Sequence, residues 1–574
     1  MHRITLLALL ALLLVAAPAA AAPVPEGAEW TEEWIATPDG EELHADVLRP
    51  VGVNRPTPVI AIVSPYLGHS VDDGNESRDP GPSSRFHDLF EGGEVFERGY
   101  SVVMVDLRGT GGSSGCLDIL GPGEQADVKA AVEWAATRPW SNGRVGMYGK
   151  SYDGNTGVVG ATLQPKGLEA VVAQQVVGDR YRGSYSGGVR YLQSLAYPAA
   201  SYGTQAEGGF TLGDDLKYTL NSLAHTADCQ AALAGHYNPD ESTDFWKVRD
   251  FVDRNEGSTV PFLMTTGFLD VNTNIGGGAI DFYEKLRGPK RLWLGWWDHV
   301  RGNDMVDDRL AMGRRGWFDE VMRFYDAYLK GSRSAQAKVR RDPPVALQGS
   351  DGRWRREAAW PPADTRPHVA PLNAGTYADD GWNLGSGDLG AGAGGSALYG
   401  GEPYTTGAGT WTLSRPLARL AHLAGIPHAK VDVAPVAPQT NLVVNVYDVA
   451  PDGQATMISR GARLVSEEGP AAVELYPTEW QLPAGHRIGV LVSGANAEAW
   501  VHVPTQTDVE VRGGTIALPL RTRGPGRPLQ GAPAPRLESY REDAPFSVDP
   551  ATLESAERGD FVVGRRGTGR LRAR

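Results

Sequence analysis

The stretch that most constrains this chain is Arg144–Leu163. Arg144-Val145-Gly146-Met147-Tyr148 reads as a short strand, and Asn155–Leu163 reads as a helix. Between them lies Gly149-Lys150-Ser151-Tyr152-Asp153-Gly154. A serine on a turn this tight, with glycines on both sides, has the form of a nucleophile elbow. The turn leaves no room for bulk and exposes Oγ, and the next backbone N–H points where an oxyanion would form. The common spacing is G-x-S-x-G, whereas here Asp153 stands two residues after Ser151 and the glycine follows at 154. The bland alternative is an ordinary strand–helix connection with Asp153 capping the helix.

The flanking sequence favours the elbow. Thr57–Val63 and Tyr100–Val105 are apolar, β-branched runs suited to strands buried on both faces, and Leu168–Ala173 is another. Helical periodicity falls between them, at Phe86–Arg98 and Gly123–Trp134. This alternation predicts an α/β fold: a doubly wound, mostly parallel sheet of the α/β-hydrolase kind. Residues 28–50 read as a β-hairpin. At 180–258 the rhythm breaks into tyrosine- and glycine-rich helical pieces, an inserted cap. It resumes with strands at Val260–Gly267 and Arg291–Gly295, a helix at about 276–287 between them, and the amphipathic helix Trp317–Leu329. From 343 onward short strands separated by Gly/Pro turns predict an all-β jelly roll.

The expected organisation is therefore a leader at 1–22, hydrolase core at 23–179, helical cap at 180–258, core again at 259–342, jelly roll at 343–522 and a Pro/Gly-rich linker and tail at 523–574. A chain of 574 residues requires several such units. Met1-His2-Arg3, an apolar run to Val15 and the alanines to Ala22 have the form of a secretory leader cleaved near Ala20–Ala22. No cysteine lies there to carry a lipid, and no later segment is long and apolar enough to span a bilayer, so an exported, soluble protein is expected. The net charge of −14 argues against nucleic acid and anionic membranes as partners. The two cysteines, Cys116 and Cys229, lack metal-ligand spacing and are a disulfide candidate that would tie cap to core. The basic end Arg565–Arg574 reads as solvated.

A serine hydroxyl needs a base, and the base needs an orienting acid. In this fold both follow the serine, at the carboxyl ends of later strands. Asp270 leaves the strand ending at Gly267, and His299 leaves the strand ending at Gly295, 29 residues on. Adjacent parallel strands would bring them to one place. His69 is the main rival histidine; His44, His422, His428, His486 and His502 fall in β regions with no strand-end logic. Asp298 rivals Asp270 but is awkwardly adjacent to His299.

These segments together resemble the cocaine-esterase and Xaa-Pro dipeptidyl-peptidase family. Gly149–Gly154 matches its G-x-S-Y-x-G elbow, which accounts for the late glycine. Asp106–Ser113 is similar to its D-x-R-G-x-G-x-S loop, which we read as structural. Gly267–Asp270 and Gly295–His299 resemble its acid and histidine segments, and Trp360-Pro361-Pro362 and Gly485–Ile488 its β domain. The resemblance covers about 28–522. It implies catalytic Ser151, Asp270 and His299, with an oxyanion hole from the Tyr66 hydroxyl and the Tyr152 N–H. Trp296 and Trp297, beside His299, are candidate substrate contacts. It implies no metal or other cofactor, and a short peptide or small-molecule ester as substrate. Release of Xaa-Pro dipeptides is the favoured expectation, with a carboxylesterase as the alternative and an inactive binding protein as a distant one. A dipeptidyl peptidase needs a carboxylate for the substrate amine, and Asp179, Glu207, Asp214 and Asp215 are the cap candidates. Tyr181, Tyr185 and Tyr191 could line an acyl pocket or simply pack.

Overall fold

The computed structural model describes residues 24–67, 81–196, 229, 233–379, 409–435, 437–494, 499–543, 546–548, 550–555 and 559–563. The hairpin β1 (Ala28–Ala36) and β2 (Glu42–Pro50) edges an eleven-stranded mixed sheet. Its centre is parallel: β3 (Thr57–Ser64), β4 (Ser101–Asp106), β5 (Ser141–Lys150) and β6 (Leu168–Gln174) come from the first half of the chain. Every residue of β3 and β4 is buried, as continuous apolar runs demand of strands covered on both faces. Between strands run helices α1 (His87–Gly92), α2 (Pro122–Thr137) and α3 (Tyr152–Leu163). The first is shorter than the expected Phe86–Arg98, ending at Gly92-Gly93.

The insertion after β6 opens with helix α4 (Arg180–Ser184) and the small hairpin β7 (Tyr185–Ser186) and β8 (Val189–Arg190). The sheet resumes with β9 (Phe262–Gly267) and β10 (Lys290–Gly295), parallel to β6 and to each other. A two-strand excursion, β11 (Met305–Val306) and β12 (Arg309–Leu310), precedes the helix Trp317–Tyr328. The next two strands correct the expected boundary. β13 (Val345–Gln348) lies parallel to β10, and β14 (Trp354–Glu357) pairs back onto β13, so both extend the hydrolase sheet rather than opening the β domain. The β domain proper consists of two antiparallel sheets. One has seven strands around the long strand Thr507–Arg521; the other has five and includes Thr440–Val449 and Gln454–Val465. Arg527–Pro528 then returns to pair with β14.

The expected tail is likewise corrected as far as 543. The helix Pro535–Asp543 buries Leu537 and Tyr540 completely, with the Tyr540 ring stacked 6.3 Å from Trp296. The basic end 565–574 lies outside the described residues, as do the leader and most of the Gly-rich excursion at 370–410. Among the described residues no helix is long and apolar enough to cross a membrane.

The Asp106–Ser113 loop is pinned by groups that do not reach the elbow. Arg108 forks onto buried Asp127 and onto Asp39 in the β1–β2 turn. Asp106 accepts from Gly112 N–H and faces His44 Nδ1 at 2.9 Å, while His44 Nε2 faces Glu32 at 3.1 Å. Burial opposes a charge on His44, but the hydrogen bond and charge of Asp106, with Asp46 and Glu32, outweigh it and raise the imidazole to about 9. A folded-state value above the unfolded 6.5 contributes stability that is complete below pH 6.5 and fades as pH rises through about 9. Denaturation at pH 6.5 and pH 9.5 should show a loss of roughly 3 kcal/mol attributable to this group. His44→Gln should flatten that part of the profile; an unchanged slope in the variant would remove His44 as its source.

Candidate active site

Ser151 sits between β5 and α3 at φ 63° and ψ −123°, a left-handed conformation for a residue with a side chain. Such a backbone costs on the order of 1–3 kcal/mol and persists only when its surroundings hold it. Ser151 N–H donates to Gln174 O of β6 at 2.8 Å, and Ser151 O accepts from Asn155 N–H at 2.8 Å. The glycines follow from close approach. A Cβ on Gly149 would run into the backbone of Asp153, and one on Gly154 would stand 2.8 Å from both Gln174 O and Val176 Cγ1. The second close approach falls three residues after the serine, which leaves position 153 able to carry a side chain.

Asp270 and His299 meet as strand order requires. Gly267 of β9 lies opposite Gly295 of β10, so both chains leave the sheet at one level. His299 Nδ1 lies 2.9 Å from Asp270 Oδ2. That oxygen also accepts from Thr273 Oγ1 at 2.7 Å, while Oδ1 accepts the backbone N–H groups of Asn272 at 2.8 Å and Thr273 at 3.1 Å. Burial pushes the Asp270 carboxyl up, but the His299 charge and hydrogen bond, with the donors from Thr273, hold it below the usual carboxylate range. It is therefore ionised at neutral pH. No hydrogen bond joins His299 to Ser151 among the described residues; such contacts commonly close only with substrate in place.

Tyr66 lies just past the end of β3, where its N–H donates to Ser64 Oγ at 3.0 Å, and its ring meets Tyr152 edge-on at 6.2 Å. Tyr152 opens α3, where backbone N–H groups have no acceptor within the helix. Its hydroxyl donates to buried Glu124 at 2.8 Å. Burial, with Asp118 nearby, raises the Glu124 carboxyl to about 8. Asp298 is not the partner of His299; burial raises its carboxyl. His69 lies outside the described residues.

Two residues that sequence reasoning missed hold the segments together. Gln174 and Gln175, both fully buried, end β6 and begin the following turn. The Gln174 side chain accepts from Gly302 N–H at 2.8 Å and donates to the Tyr148 hydroxyl at 3.1 Å. Gln175 donates to Val300 O at 3.1 Å and accepts from Gly267 N–H at 3.2 Å. The pair thus ties the elbow, the exit of the acid strand and the histidine loop to one strand end.

Other expectations are corrected. Trp296 and Trp297 are 2% and 0% exposed. Trp296 packs on Phe268 and Trp480 and donates to Glu479 O, and Trp297 stacks on Trp354. Both fill the core rather than present a face to substrate. Asp179 caps α4 by accepting Tyr181 N–H at 2.9 Å. Burial and the neighbouring Asp250 raise its carboxyl to about 7. Glu207, Asp214 and Asp215 lie outside the described residues. Tyr181 and Tyr185 stack on each other and against Trp246, and the Tyr191 hydroxyl accepts from that of Tyr476 at 2.7 Å; all three also line a cavity of about 330 Å³ shared with Tyr476 and Glu474. The expected pairing of the two cysteines, by contrast, is present: Cys116 and Cys229 form a disulfide.

The chain is similar to known proteins over most of its length. Residues 39–301 match the family model described as X-Pro dipeptidyl-peptidase (S15 family), and 337–530 match that of the X-Pro dipeptidyl-peptidase C-terminal non-catalytic domain. A Streptomyces avermitilis protein assigned as an Xaa-Pro dipeptidyl-peptidase is 26% identical over 76% of this chain and 67% of its own. The cocaine esterase of Rhodococcus sp. is 26% identical over 80% of this chain and 89% of its own. The structure of a CocE/NonD family hydrolase from Staphylococcus aureus superposes with a TM-score of 0.63, at 16% identity, over 88% of this chain and 98% of that one. The two models together cover the α/β catalytic domain and most of the β-rich domain after it, in that order: the chain belongs to the Xaa-Pro dipeptidyl-peptidase and cocaine-esterase family of serine hydrolases.

Proposed function

We propose that this is an exported serine hydrolase that releases Xaa-Pro dipeptides from peptide N-termini through an acyl-enzyme on Ser151. The reading rests above all on the 2.9 Å pairing of His299 Nδ1 with Asp270, delivered at the level where Ser151 is held at positive φ. Ser151 Oγ attacks the carbonyl carbon of the proline while His299 Nε2 takes its proton. Tyr66 hydroxyl and Tyr152 N–H receive the charge that develops on the carbonyl oxygen. His299 returns the proton to the departing amine, and a water repeats the sequence to release the dipeptide. The β-rich domain, taken as a jelly roll, supports the cap and contributes no reacting group. Export rests on the leader Met1–Ala22.

A second reading, a carboxylesterase, is favoured by Asp179: one of its oxygens caps α4, and burial beside Asp250 favours its neutral form, which makes it a poor anchor for a substrate amine. Turnover of Ala-Pro p-nitroanilide, its N-acetylated form and p-nitrophenyl esters separates the two. Cleavage of the free-amine anilide, lost on acetylation, is expected. Ester cleavage without anilide cleavage would establish the esterase instead.

A further inference from the structure

The unusual residue of the elbow, Asp153, is 1% exposed. Its Oδ2 accepts from Arg85 Nε at 2.7 Å and pairs with Arg85 Nη2 at 2.6 Å, so two guanidinium nitrogens converge on one carboxylate oxygen. Its Oδ1 accepts from Ser64 Oγ, the same hydroxyl that accepts Tyr66 N–H at 3.0 Å. The Arg85 guanidinium carbon stands 4.6 Å from the centre of the Tyr66 ring and 5.0 Å from that of Phe86. The Arg85 side chain is 11% exposed and that of Asp153 0%. One carboxylate on the nucleophile helix therefore fixes the backbone of Tyr66 through Ser64 and its ring through Arg85.

We propose that Arg85 and Asp153 are positioning residues that hold the Tyr66 phenol in the oxyanion hole, with the guanidinium adding positive charge beside the developing anion. The inference rests on the role proposed above for Tyr66. Two nitrogens of a planar guanidinium held by one buried oxygen restrict the plane that lies against the ring. A cation on a ring face makes the phenol a stronger donor, and a donor aimed at an oxyanion acts on the transition state more than on bound substrate. The ion pair also explains why the elbow tolerates an acid beside its nucleophile. Unpaired and buried, Asp153 would oppose the oxyanion; paired, it does not.

The test is a double-mutant cycle on the anilide or ester that the enzyme turns over. Tyr66→Phe should lower kcat by about 100-fold with KM changed less than about threefold. Arg85→Met should lower kcat by about 10- to 100-fold with KM similarly steady, and Arg85→Lys, which keeps the charge without the planar guanidinium, should recover part of it. In the Tyr66→Phe background, Arg85→Met should cost no more than about threefold, because its effect passes through the missing hydroxyl. Fully additive losses, or an effect on KM alone, would overturn the proposal. Loss in Arg85→Met with none in Tyr66→Phe would instead sink the oxyanion role of Tyr66. Thermal denaturation accompanies each variant. Should Arg85→Met fail to fold, Asp153→Asn, which keeps size and the Ser64 contact, carries the same cycle with the same outcomes.

Discussion

Ser151→Ala is expected to lower kcat by roughly 10⁵- to 10⁶-fold, and Asp270→Asn by about 10⁴-fold, with folding intact in both. The serine variant loses the attacking atom, so what remains is the catalysis of a water attacking within the oxyanion hole. The aspartate variant fails for a subtler reason that the geometry supplies. An asparagine at 270 can keep its amide oxygen on the N–H groups of Asn272 and Thr273, where Oδ1 sits now, and so preserve the turn. Its NH₂ then occupies the place of Oδ2, facing Thr273 Oγ1 and His299 Nδ1. Nδ1 must accept, the ring proton moves to Nε2, and Nε2 can no longer take the serine proton. His299→Ala should resemble Ser151→Ala, and combining the two should add almost nothing, because they act as a unit. Steady-state turnover with active-site titration checks all four proteins. Turnover above 1% of wild type in Ser151→Ala would place the nucleophile elsewhere, and independent effects of Ser151→Ala and His299→Ala would deny that they share a step.

The residues proposed to carry this chemistry were legible because each obeys a local rule. Ser151 stands at a change of period from strand to helix, and Asp270 and His299 stand a few residues past apolar runs that end in glycine. What was not legible depends on register between segments far apart. Gln174 and Gln175 look like the polar end of a strand. Their meaning lies in backbone groups of residues 265–267 and 300–302. Arg85 is an ordinary loop arginine until Asp153 faces it. Trp296 and Trp297 adjoin the histidine in sequence, yet the β domain and the helix Pro535–Asp543 close over Trp296, and Trp297 stacks on Trp354 of β14. β13 and β14 share the texture of the β domain, and only pairing with β10 assigns them to the catalytic sheet.

Replacing both cysteines by serine is expected to cost about 3–5 kcal/mol of stability, the range for cross-links that close loops of about 100 residues. Here 113 residues separate Cys116 from Cys229. The bond joins the loop after β4 to the cap, and that loop is built to receive it. Gly109, at φ 72°, could not carry a side chain, since a Cβ there would stand 2.8 Å from Leu117 N and 2.9 Å from Gly115 O. The turn it allows closes with Gly109 N–H on Ser114 O at 2.9 Å and sends the chain through Cys116 toward the cap. Beyond the cysteine, Asp118 N–H donates to Glu124 at 2.8 Å, and Arg249 of the cap donates to the carbonyls of Asp118 and Ile119. Glu124 in turn receives the hydroxyl of Tyr152, whose own N–H is the proposed oxyanion donor. Opening the bond therefore frees the cap at one end and loosens the support of the oxyanion hole at the other. The double serine variant should unfold at lower urea with a steeper slope, since the uncrosslinked unfolded chain exposes more surface, and its kcat should fall more than its KM rises. Wild type treated with reductant should match it in both. Peptide mapping under non-reducing conditions that recovered both cysteines as free thiols would sink the cross-link. A serine variant as stable as wild type would show that the cap is held by Arg249 and its neighbours instead.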